Sequence, residues 1–136
     1  MNDKNNSSEI EEFFEKRLRK GKKLVILVIV IEFVMTAVRI ALACALVSLS
    51  VADLVSLVIL SVLMNRIYNG RIWAIYSYAI LNVLLMISNL VRAVGSYSPI
   101  TGILALIIAG IQGWSVWILL ANPNAGDFLE EQRKYY

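Results

Sequence analysis

The sequence predicts an all-α polytopic membrane protein, with an antiparallel four-helix transmembrane bundle and a short N-terminal amphipathic helix. The first observation is composition: 59% of the 136 residues are hydrophobic and 17% are charged. A soluble domain averages about 45–50% apolar and roughly 25% charged residues. The second observation is distribution, because only six charged residues lie between positions 24 and 121. Six charges cannot keep the surface of a soluble domain of that length hydrated.

Missing residue types exclude several classes of function. The chain has no histidine and a single cysteine, Cys44, which excludes ordinary zinc sites, disulfide frameworks and acid–base catalysis by histidine. The sequence has no glycine-rich phosphate loop and no paired-carboxylate site. We therefore expect no metal, no cofactor and no enzymatic activity. The net charge of +3 does not indicate nucleic-acid binding, because the basic residues cluster against the first apolar stretch.

The N-terminal segment is predicted in two parts. Residues 1–8 are polar and predicted to be disordered, and residues 9–22 form an amphipathic helix that begins with a capping box of Ser8 and Glu11 and ends near Gly21. Its apolar residues recur at helical spacing: Ile10, Phe13, Phe14 and Leu18. One interpretation is an interfacial helix on the inner leaflet. The alternative is a solvated segment whose basic residues only set topology.

The transmembrane domain is predicted over residues 23–121. A hydrocarbon core about 30 Å thick takes roughly 20 helical residues to cross. The four predicted spans are approximately 24–47, 51–68, 72–94 and 100–121. The connections between them are short, so consecutive helices run antiparallel. Residues 122–136 are predicted as a cytoplasmic C-terminal tail.

Lysine and arginine predict the orientation. The basic residues assigned to topology and lipid headgroups are Lys16, Arg17, Arg19, Lys20, Lys22, Lys23, Arg66 and Arg71. They precede the first span or flank the middle turn, whereas the turns at 48–50 and 95–99 contain none. By the positive-inside rule, both termini are cytoplasmic. The expected location is the bacterial cytoplasmic (inner) membrane, with the lipid bilayer as the first partner.

Polar residues within the spans form the candidate site. A charge at the centre of a spanning helix costs roughly 2.5–3.5 kcal/mol, so each needs a reason. The predicted membrane-embedded polar site consists of Glu32, Arg39, Ser61, Asn82 and Gln112. Glu32 is either a proton or cation site or a structural partner for Asn82 and Gln112, and both interpretations stay open at this point.

A second polar group is predicted nearer the outside. Asp53 begins the second helix, and Asn89 and Arg92 end the third. Helices one and two are hairpin neighbours, so Arg39 and Asp53 are the expected ion pair. Arg92 either joins them or extends to the outer headgroups.

Small residues predict close helix contacts. The first helix carries Ala37, Ala41 and Ala45, and the fourth carries Ala105, Ala109 and Gly113, each at four-residue spacing. Such stripes allow two backbones to approach. Packing of helix one on helix four is the favoured interpretation, and a homodimer is the alternative.

Two resemblances carry expectations about family. The turn Asn69-Gly70-Arg71-Ile72-Trp73-Ala74 and the ending Leu119-Leu120-Ala121-Asn122-Pro123-Asn124-Ala125-Gly126-Asp127-Phe128-Leu129 resemble a pattern in many small four-helix membrane proteins of bacteria, most of unassigned function. That resemblance covers residues 24–130 and implies fold and membrane location rather than an activity.

The segment Ile31-Glu32-Phe33 resembles the essential carboxylate position in the small multidrug resistance transporter family. The resemblance implies that Glu32 exchanges protons for a cationic substrate across a dimer. Arg39 departs from that family, since it would repel a cation. The glycine-rich crossing of the family's third helix is also missing.

The leading functional hypothesis is a non-enzymatic membrane protein that acts through contacts, as an accessory, regulatory or immunity-type protein with a membrane or cytoplasmic protein partner. The first alternative is a small proton-coupled transporter or channel that uses Glu32. The second alternative is a holin, favoured by size alone.

Overall fold

The structure is a computed structural model that describes residues 2–45 and 50–136. Its helices are α1 (Asn2–Ala45), α2 (Val51–Tyr68), α3 (Ile72–Val94), α4 (Pro99–Ala121) and α5 (Pro123–Tyr135), and the described residues contain no strand. The first four are long and apolar enough to cross a membrane, which confirms the predicted all-helical class and the four candidate spanning helices. The end of the first predicted span and the turn residues Ser48 and Leu49 lie outside the described residues.

The N-terminal segment differs from its prediction, because α1 is one unbroken helix of 44 residues. At about 1.5 Å per residue it extends for roughly 66 Å. Ser8 lies inside the helix, and its hydroxyl donates to the Asn5 carbonyl at 2.9 Å rather than capping an N-terminus. Two ion pairs between residues four positions apart stabilise this helix: Glu12–Lys16 at 2.9 Å and Glu15–Arg19 at 3.8 Å.

This continuity removes the predicted boundary between the N-terminal amphipathic helix and the first span. The helix continues without a break through Gly21. The prediction that the helix ends near Gly21 is therefore wrong. This glycine instead allows a close contact between two helices.

A fifth helix occupies the predicted C-terminal tail. The Asn122 side chain caps it by accepting from the backbone N–H groups of Asn124 at 3.0 Å and Ala125 at 3.3 Å. Pro123 follows at the first helical position, where its missing N–H has no cost. The side chains of Ala125, Phe128 and Leu129 are buried, which gives α5 one apolar face.

The core lies at one end of the molecule, which we call the base. It contains α5 and the turn at 69–71 between α2 and α3. Its buried side chains include Val25, Val28, Leu63, Met64, Ile67, Ala74, Ile75, Tyr78, Ile118, Leu119, Ala125, Phe128 and Leu129. The most extensive helix contacts are α3 with α4 and α1 with α5, whereas α2 contacts α3 and α1 much less. The opposite halves of α1 and α2, residues 34–45 and 51–62, are called the apical segments.

The two small-residue stripes have different surroundings. Ala105 and Ala109 are buried, and a Cβ on Gly113 would lie 3.2 Å from the Sδ atom of Met86 in α3. The residues Ala37, Ala41 and Ala45 are exposed. Thus α1 does not use its stripe to pack on α4 within the chain, because α4 presents small residues to its hairpin partner α3.

Candidate functional site

A short hydrogen bond joins α1 to α3 inside the apolar region. The Tyr78 hydroxyl donates to Oε1 of Glu32 at 2.5 Å, and Tyr78 is only 1% exposed. In the part of the chain that the structure describes, no Cα atoms of α1 and α3 lie within 8 Å of each other. The long tyrosine side chain therefore bridges two helices whose backbones stay apart.

Two further polar side chains surround the Tyr78 hydroxyl. Asn82 and Ser115 lie beside it, and the Asn82 Nδ2 atom donates to the Tyr78 carbonyl at 3.2 Å. Ser115 is 0% exposed, and its hydroxyl has no hydrogen-bond partner of good geometry among the described residues. We call Glu32, Tyr78, Asn82 and Ser115 the polar cluster.

The sequence prediction included Glu32 and Asn82 but missed Tyr78 and Ser115. Tyr78 precedes Asn82 by four residues, and Ser115 follows Gln112 by three, so each shares a helix face with a predicted polar residue. This helical spacing is the sequence feature from which Tyr78 and Ser115 could have been predicted.

Gln112 belongs to a different pair. Its Oε1 atom accepts from Nδ2 of Asn89 at 3.1 Å, which links α4 to α3 nearer the apex. Asn89 was predicted in an outer cluster with Asp53 and Arg92. The structure instead places it opposite Gln112, because α3 and α4 pack along their lengths as an antiparallel hairpin.

Ser61 does not join the polar cluster either. Its hydroxyl donates to the Leu57 carbonyl of its own helix at 2.8 Å. The side chain is exposed and lines a groove between α1 and α2. A serine in a spanning helix can satisfy its hydroxyl this way without a partner helix.

The predicted outer ion pair is not formed. The Asp53 Oδ2 atom accepts from the backbone N–H of Ser50 at 3.0 Å and from its hydroxyl at 2.9 Å. Arg39 acts on this carboxylate only at longer range, and both Arg39 and Arg92 are exposed. A carboxylate near a helix start satisfies free backbone donors, and this local bond takes the place of the expected ion pair.

Two predicted topology residues hold α5 at the base. The Arg17 guanidinium pairs with the Asp127 carboxylate at 2.9 Å, and Arg71 donates to the Tyr136 carbonyl at 2.6 Å. Arg133 of α5 donates to the Gly70 carbonyl at 3.1 Å. The other predicted topology residues are exposed: Lys16, Arg19, Lys20, Lys22, Lys23 and Arg66.

Two glycines allow this docking. A Cβ on Gly21 would overlap the Asn124 carbonyl and approach Cβ of Phe128 to 2.9 Å. Gly70 has a φ of 69°, a left-handed conformation that favours glycine. A Cβ there would overlap the Leu129 carbonyl. The α5 backbone therefore lies directly against α1 and against the turn between α2 and α3.

A groove of about 370 Å³ lies between α1 and α2. Its lining residues are Ile26, Ile29, Phe33, Ser61, Met64, Asn65 and Tyr68. It is separate from the polar cluster and mainly apolar. Among the described residues, no group of three or more acidic or cysteine side chains could hold a metal ion.

The polar cluster can do two things chemically. It can hold α1 against α3, and it can bind a proton at the Glu32 carboxyl beside the Tyr78 hydroxyl. Comparison with known proteins adds no third possibility, because no family model, curated protein or solved structure matches the chain. Both family resemblances therefore stay expectations.

Proposed function

We propose that the chain is a non-enzymatic integral protein of the bacterial cytoplasmic membrane that acts through protein contacts, in an accessory, regulatory or immunity-type role. In this proposal α1 to α4 form an antiparallel bundle in the bilayer. Both termini and α5 lie in the cytoplasm. The one-sided placement of lysine and arginine supports this orientation.

The observation that carries the proposal is the N-terminal part of α1, residues 5–20, which we call the arm. The arm continues the first span as one helix. It leaves Ile10 68%, Phe13 64% and Phe14 43% exposed. These residues lie on the same helix face as Arg17 and Gly21, which contact α5. Clustered large apolar side chains outside the bilayer are typical of a protein interaction surface.

A site-specific photo-crosslinker tests the arm. Placed at Phe13 in the full-length protein in cells, it is expected to give one discrete protein adduct, and Ile10→Asp in the same chain should abolish it. The matched control places the crosslinker at Glu12, on the opposite face of the same helix. Equal labelling at both positions, or no adduct at Phe13, would contradict a contact surface.

The polar cluster favours a second candidate, a proton-coupled transporter or channel that uses Glu32. The Glu32 carboxyl accepts from the Tyr78 hydroxyl, and the buried Ser115 hydroxyl has no hydrogen-bond partner of good geometry in the described part of the chain. Against this candidate, the groove between α1 and α2 is lined mainly by apolar side chains and includes no residue of the polar cluster.

Reconstituted vesicles separate the two candidates. A proton or cation flux that is present in the wild type, lost in Glu32→Gln and retained in Arg39→Gln would favour transport. Absence of flux in folded wild-type protein removes the transport candidate. The photo-crosslinking experiment is independent of this result.

A further inference from the structure

The groove between α1 and α2 has a definite orientation. Ile26, Ile29 and Phe33 line it from α1, while Tyr68, Asn65 and Ser61 line it from α2 in the opposite order along the chain. Ile26 and Tyr68 therefore lie toward the base, and Phe33 and Ser61 lie toward the apex. Between Ile26 and Phe33 the helix rises by about 10 Å, which is enough for part of an extended acyl chain.

No side chain of the described residues fills this groove. Contact between α1 and α2 is sparse, and Ile26 remains exposed. The Ser61 hydroxyl donates to a carbonyl of its own helix, so a molecule in the groove does not need to supply a hydrogen-bond partner for it. The groove therefore fits an apolar chain supplied from outside the protein.

Helical spacing places a cation just beyond the base end of the groove. Lys22 precedes Ile26 by four residues and Ile29 by seven, which places it on the same face of α1. Lys22 and Lys23 are exposed. The ion pairs of the described residues engage Lys16, Arg17, Arg19 and Lys134 instead. Lys22 is thus a cation beyond the base end of an apolar groove, and no carboxylate of the described residues pairs with it.

We propose that this groove binds one anionic phospholipid, with an acyl chain against Ile26, Ile29 and Phe33 and the phosphate on Lys22. An apolar tail that ends in a negative headgroup matches both the lining and the charge. A transmembrane helix would match the apolar lining but would leave Lys22 without a counter-ion. This proposal does not depend on the contact function proposed above.

Native mass spectrometry of the full chain from detergent tests the site, with phosphatidylglycerol and phosphatidylcholine as probes. We expect one phosphatidylglycerol to be retained in preference to phosphatidylcholine. Lys22→Gln should reduce that retention about fivefold, the effect of one basic residue at an anionic surface. The matched control is Lys20→Gln, which removes the same charge from the opposite face of α1.

Filling the groove gives a second test. Ile29→Trp should abolish retention of the lipid, whereas Val34→Trp, on another exposed face of α1, should not. Ser61→Leu fills the groove from α2 and should also abolish retention of the lipid. It provides the same test if Ile29→Trp fails to fold. Equal retention of both lipids without an effect of Lys22→Gln would overturn the proposal. So would a protein dimer that is lost in the groove-filling variants, since a second copy would then be the occupant.

Discussion

The base and the apical segments both contain apolar stretches of α1 and α2, yet only the base is enclosed by protein. At the base, the side chains of Val25, Ile67 and Phe128 are buried by neighbouring helices. In the apical segments, Val38 is 54% and Val58 is 63% exposed. Apolar content therefore does not determine which faces of these helices pack.

The proposed placement of the helices in a bilayer gives a physical reason for this difference. Lipid chains are as apolar as leucine, so an exposed valine within the bilayer incurs no hydrophobic cost. Association there depends on close backbone approach and on interhelical hydrogen bonds. Near the water boundary, burial of Phe128 and Leu129 of α5 gains free energy, and α5 supplies the surface that encloses the base.

The largest expected effect comes from Gly21→Ala, which places a methyl group against the Asn124 carbonyl. We expect the free energy of unfolding to fall by about 3 kcal/mol, because α5 must move away from α1. Thermal unfolding in detergent measures this change. The matched control is Gly126→Ala in α5, where a Cβ would meet no atom within 4 Å. That variant should gain about 1 kcal/mol from helix propensity, and equal destabilisation of both would contradict the account.

An intermediate effect is expected from Tyr78→Phe, which removes the donor to Glu32 while preserving the ring. Loss of one buried hydrogen bond to a carboxyl group costs about 1–3 kcal/mol. The control, Tyr76→Phe, removes a hydroxyl from an exposed tyrosine of the same helix and should leave the unfolding temperature unchanged. If the two variants behave alike, the polar cluster does not hold α1 to α3.

The smallest effect is expected in the apical segments. Ala41→Leu adds volume at an exposed position of α1 and should change the free energy of unfolding by less than about 0.5 kcal/mol. Ala109→Leu adds the same volume at a buried position of α4 and should cost about 1–3 kcal/mol. A large loss in Ala41→Leu, measured by thermal unfolding, would show that a neighbour covers that face.

Part of this fold could be predicted from residue order alone. The limits of α2 and α3 follow from apolar runs that end at Asn69-Gly70-Arg71 and Gly95. The α5 helix escaped prediction because it is short and mostly polar, although Asn122-Pro123 is a typical cap and first helical position. The continuity of α1 could not be predicted, because a glycine such as Gly21 is also typical of a helix end.

The sequence could predict which polar residues lie at a similar depth in the apolar spans, but not which of them are in contact. Glu32 and Asn82 stood out because polar residues are rare in apolar spans. Their actual neighbours depend on how each helix is rotated about its axis, which packing decides. For that reason Asn89 pairs with Gln112 and Tyr78 meets Glu32. Asp53 instead bonds to Ser50 because the start of its own helix offers nearer donors than Arg39.

The central claim is that α5 is held against α1 and the turn between α2 and α3 as part of the protein core. Amide hydrogen exchange of the protein in lipid nanodiscs tests it most directly. We expect residues 125–131 of α5 to exchange slowly in the wild type, residues 5–12 of the arm to exchange fast, and Gly21→Ala to remove the protection of α5. Exchange of α5 as fast as the arm in the wild type, or protection unchanged in Gly21→Ala, would contradict the claim.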